Sequence, residues 1–327
     1  MKGPIPWLDF SFLSFINYST FGLLFRSMKN TNALAWGILA ILSLIWGTSF
    51  ILIKRGLEVY EPGEVGAIRI LAACLFLVPV SIPKVRKLTG RHLKLLFIIG
   101  MVGTFGPAFL FALGQTRLDS GIAGVLNGLT PIFTLIIGAV FFKQKFKREN
   151  YIGIVLAFIG TVVLLTAGSG GKFSEFNFYA FFIVLATACY GTNLNVIKYY
   201  LSDLSPVVIT SVSILLVGPF AGLYLLFGTD FSVKLATEPG AVQALGYVSL
   251  LGVMSTSLAL ILFNKLVQLT TPIFSSTVTY LIPIVALTWG ILDGEVLILG
   301  QIVGIGAILI GVFINNRRKA KAAQAKI

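Results

Sequence analysis

Trp46-Gly47-Thr48-Ser49-Phe50-Ile51-Leu52-Ile53-Lys54, followed by Pro62, returns later in the chain as Tyr190-Gly191-Thr192-Asn193-Leu194-Asn195-Val196-Ile197-Lys198, followed by Pro206. The aromatic residue, the Gly, the Thr, the Lys and the Pro each recur after the same 144 residues. Five features at one spacing read as two copies of one unit, and an internal period of this kind decides the fold before any single segment does. The second half of the unit repeats as well. Leu129-Thr130-Pro131-Ile132 is answered by Leu281-Ile282-Pro283-Ile284 after 152 residues, and Gly153 and Gly160 by Gly304 and Gly311 after 151. Insertions in the connecting loops absorb the drift.

Composition sets the solvent of this repeat. Of 327 residues, 57% are hydrophobic and only 11% charged, with mean hydropathy +0.94. That is too little charge to cover a soluble surface. Apolar runs of about 18 residues or more mark membrane-crossing helices, whereas barrel strands would alternate over shorter stretches. Ten spans are expected at 33–53, 65–83, 94–114, 121–142, 151–168, 178–199, 207–228, 241–263, 271–292 and 297–315, an all-α integral membrane protein. Five spans per unit is an odd number, so the second unit enters the membrane from the opposite side. The result is an inverted-topology repeat, a plan common to secondary transporters whose site lies near the midplane between the halves. The expected division is 1–32 as an N-terminal extension, 33–168 and 178–315 as the two repeats, and 316–327 as a basic tail. The extension lacks the pattern of a signal peptide; it reads either as an interfacial helix or as residues ahead of a true start at Met28.

The formal charge of +13 is a matter of orientation rather than of nucleic acid. Nineteen Lys and Arg residues fall on one side of the predicted topology and five (Lys54, Arg55, Arg117, Lys172, Lys234) on the other. The excess of basic loops stays inside, which puts both termini in the cytoplasm. Glu58, Glu61, Glu64, Asp119, Asp293 and Glu295 then gather outside.

Polar side chains at membrane depth face the bundle interior, because lipid offers them no partner. Trp46 and Ser49 share one face of the first helix, and Tyr190 and Asn193 hold the matching places on the sixth. Thr48 and Thr192 point away and read as hydroxyls bonded to their own helices. Asn127, Thr130 and Thr134 share a face beside Pro131, which frees a backbone carbonyl. Ser275, Ser276 and Thr279 answer them ahead of Pro283, Thr279 being the repeat partner of Asn127. The candidate substrate-binding set is therefore Asn127, Tyr190, Asn193, Trp46, Ser49, Thr279, Thr130 and Arg69. Arg69, the one basic residue inside a predicted span, is placed about a turn from the outer end of its helix. It is open to snorkelling, to pairing with Asp293 or Glu295, or to attracting a carboxylate substrate. Phe105 and Phe109 read as packing, as do Ser255, Thr256 and Ser257 and the glycines that let helices approach.

Trp-Gly-Thr-Ser-Phe in the first span, Pro62 with Arg69 in the second, and Leu281-x-Pro283 with Gly294-Glu295, Gln301 and Gly304 near the end resemble the drug/metabolite transporter superfamily, and within it the EamA-type family of ten-helix carriers. The resemblance covers about residues 33–315. It implies a permease of a bacterial-type inner membrane, often an exporter of amino acids or other small metabolites, with a central cavity lined mainly by helices 1, 3, 4, 6, 8 and 9. The first repeat departs from the family pattern, with Lys143-Gln144 where Gly-Glu is usual.

The expected function is a secondary permease working by alternating access on a small-molecule substrate. A flippase for lipid or lipid-linked molecules on the same fold is the alternative, and a membrane enzyme the weaker third reading. The sole histidine, His92, sits in a basic loop, and no Ser/His or intramembrane Asp pair supplies the parts of a hydrolase. Without a Walker motif, direct ATP drive is not expected. No acid lies deep in a predicted span, so no buried carboxylate relay is expected either. No cofactor, metal or nucleic-acid partner is expected; the membrane lipids are the surroundings.

Overall fold

The computed structural model describes residues 31–144, 148–167, 177–269 and 278–324. The expected extension before residue 31 with its candidate start Met28, and the residues Ser275 and Ser276, lie outside these. Among the described residues, ten apolar helices account for the membrane-crossing unit. They are α1 (Thr31–Leu57), α2 (Pro62–Val85), α3 (Gly90–Gly114), α4 (Ser120–Phe142), α5 (Arg148–Ala167), α6 (Tyr179–Tyr200), α7 (Pro206–Phe227), α8 (from Ala241 to Leu269), α9 (Val278–Leu292) and α10 (Leu299–Gln324). Among the described residues, eight helices are long and apolar enough to cross a membrane, and 278–292 and 299–314 form two shorter apolar ones. A short helix, Phe231–Thr237, precedes α8 in what reads from sequence as plain loop. α10 also continues as helix to Gln324, through the segment expected to be a tail.

The repeated prolines explain where two of the helices start. Pro62 and Pro206 each occupy the first turn, where a missing N–H costs nothing. Ser205 caps α7 by accepting from the Val208 N–H, and in α2 the Glu64 carboxylate reaches back to the Glu61 N–H at 2.8 Å. α2 therefore begins three residues earlier than expected, and Arg69 lies seven residues in from Pro62, two turns rather than one.

Two irregularities are invisible in the hydropathy pattern. α3 and α8 each contain a π-helical turn, Met101–Phe105 and Gly252–Leu258, starting 151 residues apart and so at equivalent places in the two repeats. Such turns concentrate at functional sites. α4, expected as one span, breaks at Gly128–Leu129 into Ser120–Asn127 and Thr130–Phe142. Pro131 thus opens a second half-helix, while Pro283 stays inside α9.

The packing obeys a pseudo-two-fold exchange of the repeats. α5 packs on α10 and α2 on α7, while α1 packs on α9 and its counterpart α6 packs on α4. At the α5–α10 contact a Cβ added to Gly160 would lie 2.8 Å from the Gly304 carbonyl oxygen, and one added to Gly311 would lie 2.6 Å from that of Gly153. Exchanging the repeats turns the first contact into the second. The bundle is two inverted five-helix units packed about this axis.

Candidate functional site

Three helices bring the chemistry together at the interface of the halves. From α2, Arg69 donates through Nε to the Thr256 hydroxyl on α8 at 3.0 Å, and its guanidinium lies beside the Tyr190 hydroxyl on α6. The backbone supports this meeting, because Gly252 at the start of the α8 π turn sits directly against the Arg69 carbonyl. The repeat-related contact, Gly100 of α3 against the Ser213 carbonyl of α7, has a serine where Arg69 stands. The charge therefore exists in one half only.

Tyr190 stacks on Phe111 with ring centroids 5.9 Å apart, and Phe111 in turn meets Phe50 at 5.8 Å. One turn further along α6, Asn193 lies over Gly103 in the α3 π turn, where only a glycine leaves room for the amide. Its Oδ1 is buried without a hydrogen-bond partner. A buried polar atom left unpaired is uncommon, and a ligand is one of the explanations for it.

The other sequence candidates divide differently. Ser49 is only 7% exposed and its hydroxyl meets that of Ser255 at 2.6 Å, while the Trp46 indole N–H donates to the Ser255 carbonyl at 3.1 Å. Both residues hold α1 to α8. Asn127 ends the first half of α4, half-buried, and its carbonyl accepts the Thr130 hydroxyl at 2.8 Å. Thr279 lies half-buried in the first turn of α9 as described. The structure thus places Arg69 beside Tyr190, with Asn193 one turn along α6 against Gly103, and sets Asn127 with Thr130 at the α4 break. Thr192 bonds back to its own helix through the Ala188 carbonyl, but Thr48 accepts from the Trp289 indole of α9 at 2.9 Å instead. Phe105 and Phe109 stack at 4.7 Å, with Phe109 against Gly66 of α2 and Tyr224 of α7, as packing residues.

A second cluster closes one end of the bundle, and sequence reasoning missed its centre, Lys54. Because α1 runs on to Leu57, Lys54 stands in its last turn. It reaches Glu295 Oε1 at 2.9 Å and Asp293 Oδ2 at 2.7 Å in the α9–α10 turn. Arg55 pairs with Asp293 and with Glu58. Glu295 also accepts from the Ser120 N–H at 2.8 Å, the Ser120 hydroxyl at 2.7 Å and the Gly121 N–H at 3.0 Å, capping the N-terminus of α4. The positive end of a helix and a lysine are what a buried carboxylate requires. Burial alone would raise the Glu295 pKa; the Gly121 and Ser120 donors and Lys54 outweigh it and hold the carboxylate below its ordinary range. Arg69 does not join these acids; of the readings open to it, pairing with Asp293 or Glu295 is not made, and its Nε goes to Thr256 instead. The one signal in sequence was the Lys54–Lys198 correspondence.

The matching turn of the first repeat repeats the backbone and changes the chemistry. Gly294 (φ 87°) and Lys143 (φ 54°) both adopt the left-handed conformation, and Glu295 and Gln144 donate their N–H to Gly290 and Gly138 at 2.9 and 3.0 Å. Where Glu295 takes a lysine and a helix end, Gln144 donates its amide to Asn195 Oδ1 at 3.1 Å. Asn195, 1% exposed, spends its own N–H groups on the Thr134 and Gly191 carbonyls.

One acid of the outer set, Glu64, is buried. It is 1% exposed, salt-bridged to Lys234 of the short helix at 2.8 Å, with Oε1 unpartnered. It lies in the first turn of α2, not deep in the span.

Comparison with known proteins agrees with this architecture. The model of the EamA-like transporter family matches residues 34–166 and 177–317. A probable amino-acid metabolite efflux pump of Salmonella typhimurium is 28% identical over 85% of this chain and 94% of its own length. An uncharacterized transporter of Archaeoglobus fulgidus is 28% identical over 87% of this chain and 99% of its own. The uncharacterized inner membrane transporter YedA of Escherichia coli is 24% identical, over 85% and 89%. A solved crystal structure superposes with TM-score 0.56 at 15% identity, covering 88% of this chain and 98% of that one, and shares its fold.

Proposed function

Because the chain belongs to the EamA-like transporter family and is a multi-pass membrane transporter, we propose that it is a secondary carrier moving small metabolites, amino acids or related compounds, outward by alternating access. The observation that carries the reading is the pair of repeat-related turns at Gly294-Glu295 and Lys143-Gln144. Alternating access needs a closure at each end of the bundle, related by the repeat, and in this structure both contacts are made. These turns share their backbone, yet one is tied by ion pairs and a helix N-terminus and the other by neutral amides. A bundle so built has two closures of unequal strength, which a bound substrate can tip only by binding the two states differently.

The charge bias of the loops supports both termini in the cytoplasm and the Lys54–Glu295 end outside. The chemistry supports a carrier rather than an enzyme. Among the described residues the polar groups gathered here are an arginine, a threonine and a tyrosine hydroxyl and an amide, with no nucleophile and base placed to act together. Its partners would be the small-molecule substrate and the surrounding lipid.

Flux in proteoliposomes tests the proposal, with a panel of labelled amino acids and small metabolites, with and without a proton gradient. Saturable movement of one compound class is the expected result. Absence of flux across the panel, with scrambling of labelled lipid in the same vesicles, would replace the carrier by a flippase.

A further inference from the structure

We propose that Arg69 is the specificity-determining anchor of this carrier and that it binds a carboxylate on the transported molecule; the inference rests on the carrier reading above and deepens it. Arg69 lies seven residues into α2, about 10 Å of helix rise from its start. A snorkelling side chain would turn back towards that end. This one turns inward, with Nε on Thr256 of α8 and its head beside Tyr190 of α6. Among the described residues no carboxylate pairs with it. Of the acids at that end of the bundle, Glu64 is paired with Lys234, Asp293 and Glu295 with Lys54, and Glu58 with Arg55.

A cation held at membrane depth without a counter-ion is costly, and such residues mark substrate or ion pathways. The geometry leaves the right donors open. With Nε committed to Thr256, the terminal N–H groups remain, and a planar guanidinium fork fits a carboxylate. The Tyr190 hydroxyl stands beside that fork. One turn along the same face of α6, the unpaired Asn193 Oδ1 is an acceptor for an N–H or O–H on the same molecule. The ligand these three groups recognise is a small carboxylic acid carrying a hydrogen-bond donor.

The test uses the full-length chain, purified in detergent. Its thermal midpoint is measured against leucine, threonine, phenylalanine and lactate, each beside its carboxamide, because a ligand that binds the folded state raises the midpoint by mass action. Acids should stabilise and their amides should not, and Arg69→Gln should weaken the response to the acid by at least about tenfold, the scale of one charge-assisted bond. Arg69→Lys should keep part of it. Amides that stabilise as well as acids, or an Arg69→Gln protein with an undiminished acid response, would overturn the assignment. So would an absence of any response to the acids. Should Arg69→Gln fail to fold, the acid–amide comparison in the unaltered protein still decides. Flux of the same compounds in proteoliposomes is read separately, so the anchor can fail while the carrier reading stands.

Discussion

Lys54 and Glu295, 241 residues apart in the chain, meet at 2.9 Å and join the end of α1 to the turn between α9 and α10. The Glu295 side chain is 5% exposed, so this contact is not a screened surface pair. It also carries the α4 N-terminus, and three elements from the two repeats are locked through one carboxylate.

Glu295→Gln should loosen that end. One amide oxygen can still accept, but the new NH2 faces the Ser120 or Gly121 N–H, a donor against a donor. The expected cost is about 1–3 kcal/mol, the range for leaving a buried hydrogen-bonding group unmatched. It reads out as a lowered thermal midpoint and as faster alkylation of a cysteine placed at Thr116 on the same rim. An unchanged alkylation rate would mean that Glu295 does not close the bundle.

The same end should respond to pH in two opposite steps. Glu295 is held below its ordinary value by its donors and Lys54, so its contribution is full above the unfolded carboxylate pKa and is lost as pH falls through the depressed folded value. Asp119 behaves inversely. Partial burial and the Glu295 charge push it up, with Lys54 opposing, so its ionised form is disfavoured in the fold and acidification relieves it first. With Asp293 and Arg55 completing the charges nearby, mild acid should tighten the closure and stronger acid release it. Alkylation at the rim cysteine against pH should pass through a minimum, which Asp119→Asn should abolish.

At the pseudo-two-fold axis, Gly304→Val should separate α5 from α10. A Cβ there would lie 2.5 Å from the Leu164 nitrogen and 2.8 Å from the Gly160 carbonyl oxygen, both backbone atoms that cannot rotate away. Overpacking of this kind costs about 1–3 kcal/mol. Size-exclusion after a heat step should show early loss of the folded peak, with the substrate response of surviving protein unchanged.

Asn127→Ala combined with Asn193→Ala should abolish transport while expression is kept. Among the described residues neither side chain takes part in a hydrogen-bond network that holds helices together: Asn127 serves its neighbour through the backbone carbonyl, and Asn193 leaves its oxygen unpaired. Full flux in the double variant would remove both from the site.

The repeat could be read from residues because Gly and Pro are constrained by backbone geometry, and the same geometry recurs in both halves. The α4 break could not be read, because Gly128-Leu129 interrupts a run that hydropathy treats as uniform. The depth of Arg69 shifted by a turn once Pro62 rather than Val65 opened α2. Tyr190 and Asn193 were found on one face because helical spacing sets faces. Ser49 was equally polar and equally placed, yet its partner Ser255 is 206 residues away and only the packing of α1 on α8 reveals it. Lys54 was hidden for the same reason: an ion pair between repeats leaves no local trace.

The neutral turn offers the sharpest comparison with Glu295. Gln144→Glu would restore to the first repeat the acid that the second one has. The backbone would accept it, since Lys143 and Gly294 already share the left-handed conformation. The chemistry would not. Asn195 Oδ1 would face a carboxylate, acceptor against acceptor, and Asn195 cannot turn its amide because both its N–H donations go to the Thr134 and Gly191 carbonyls. The cost should again be about 1–3 kcal/mol, now borne by the contact of α4 with α6. If the two turns are the two closures, this variant weakens the Gln144 end while Glu295→Gln weakens the other. Cysteines on opposite rims should then change their alkylation rates in opposite directions in the two proteins. Parallel changes would show a bundle that merely loosens, and would remove the alternation from the proposed mechanism.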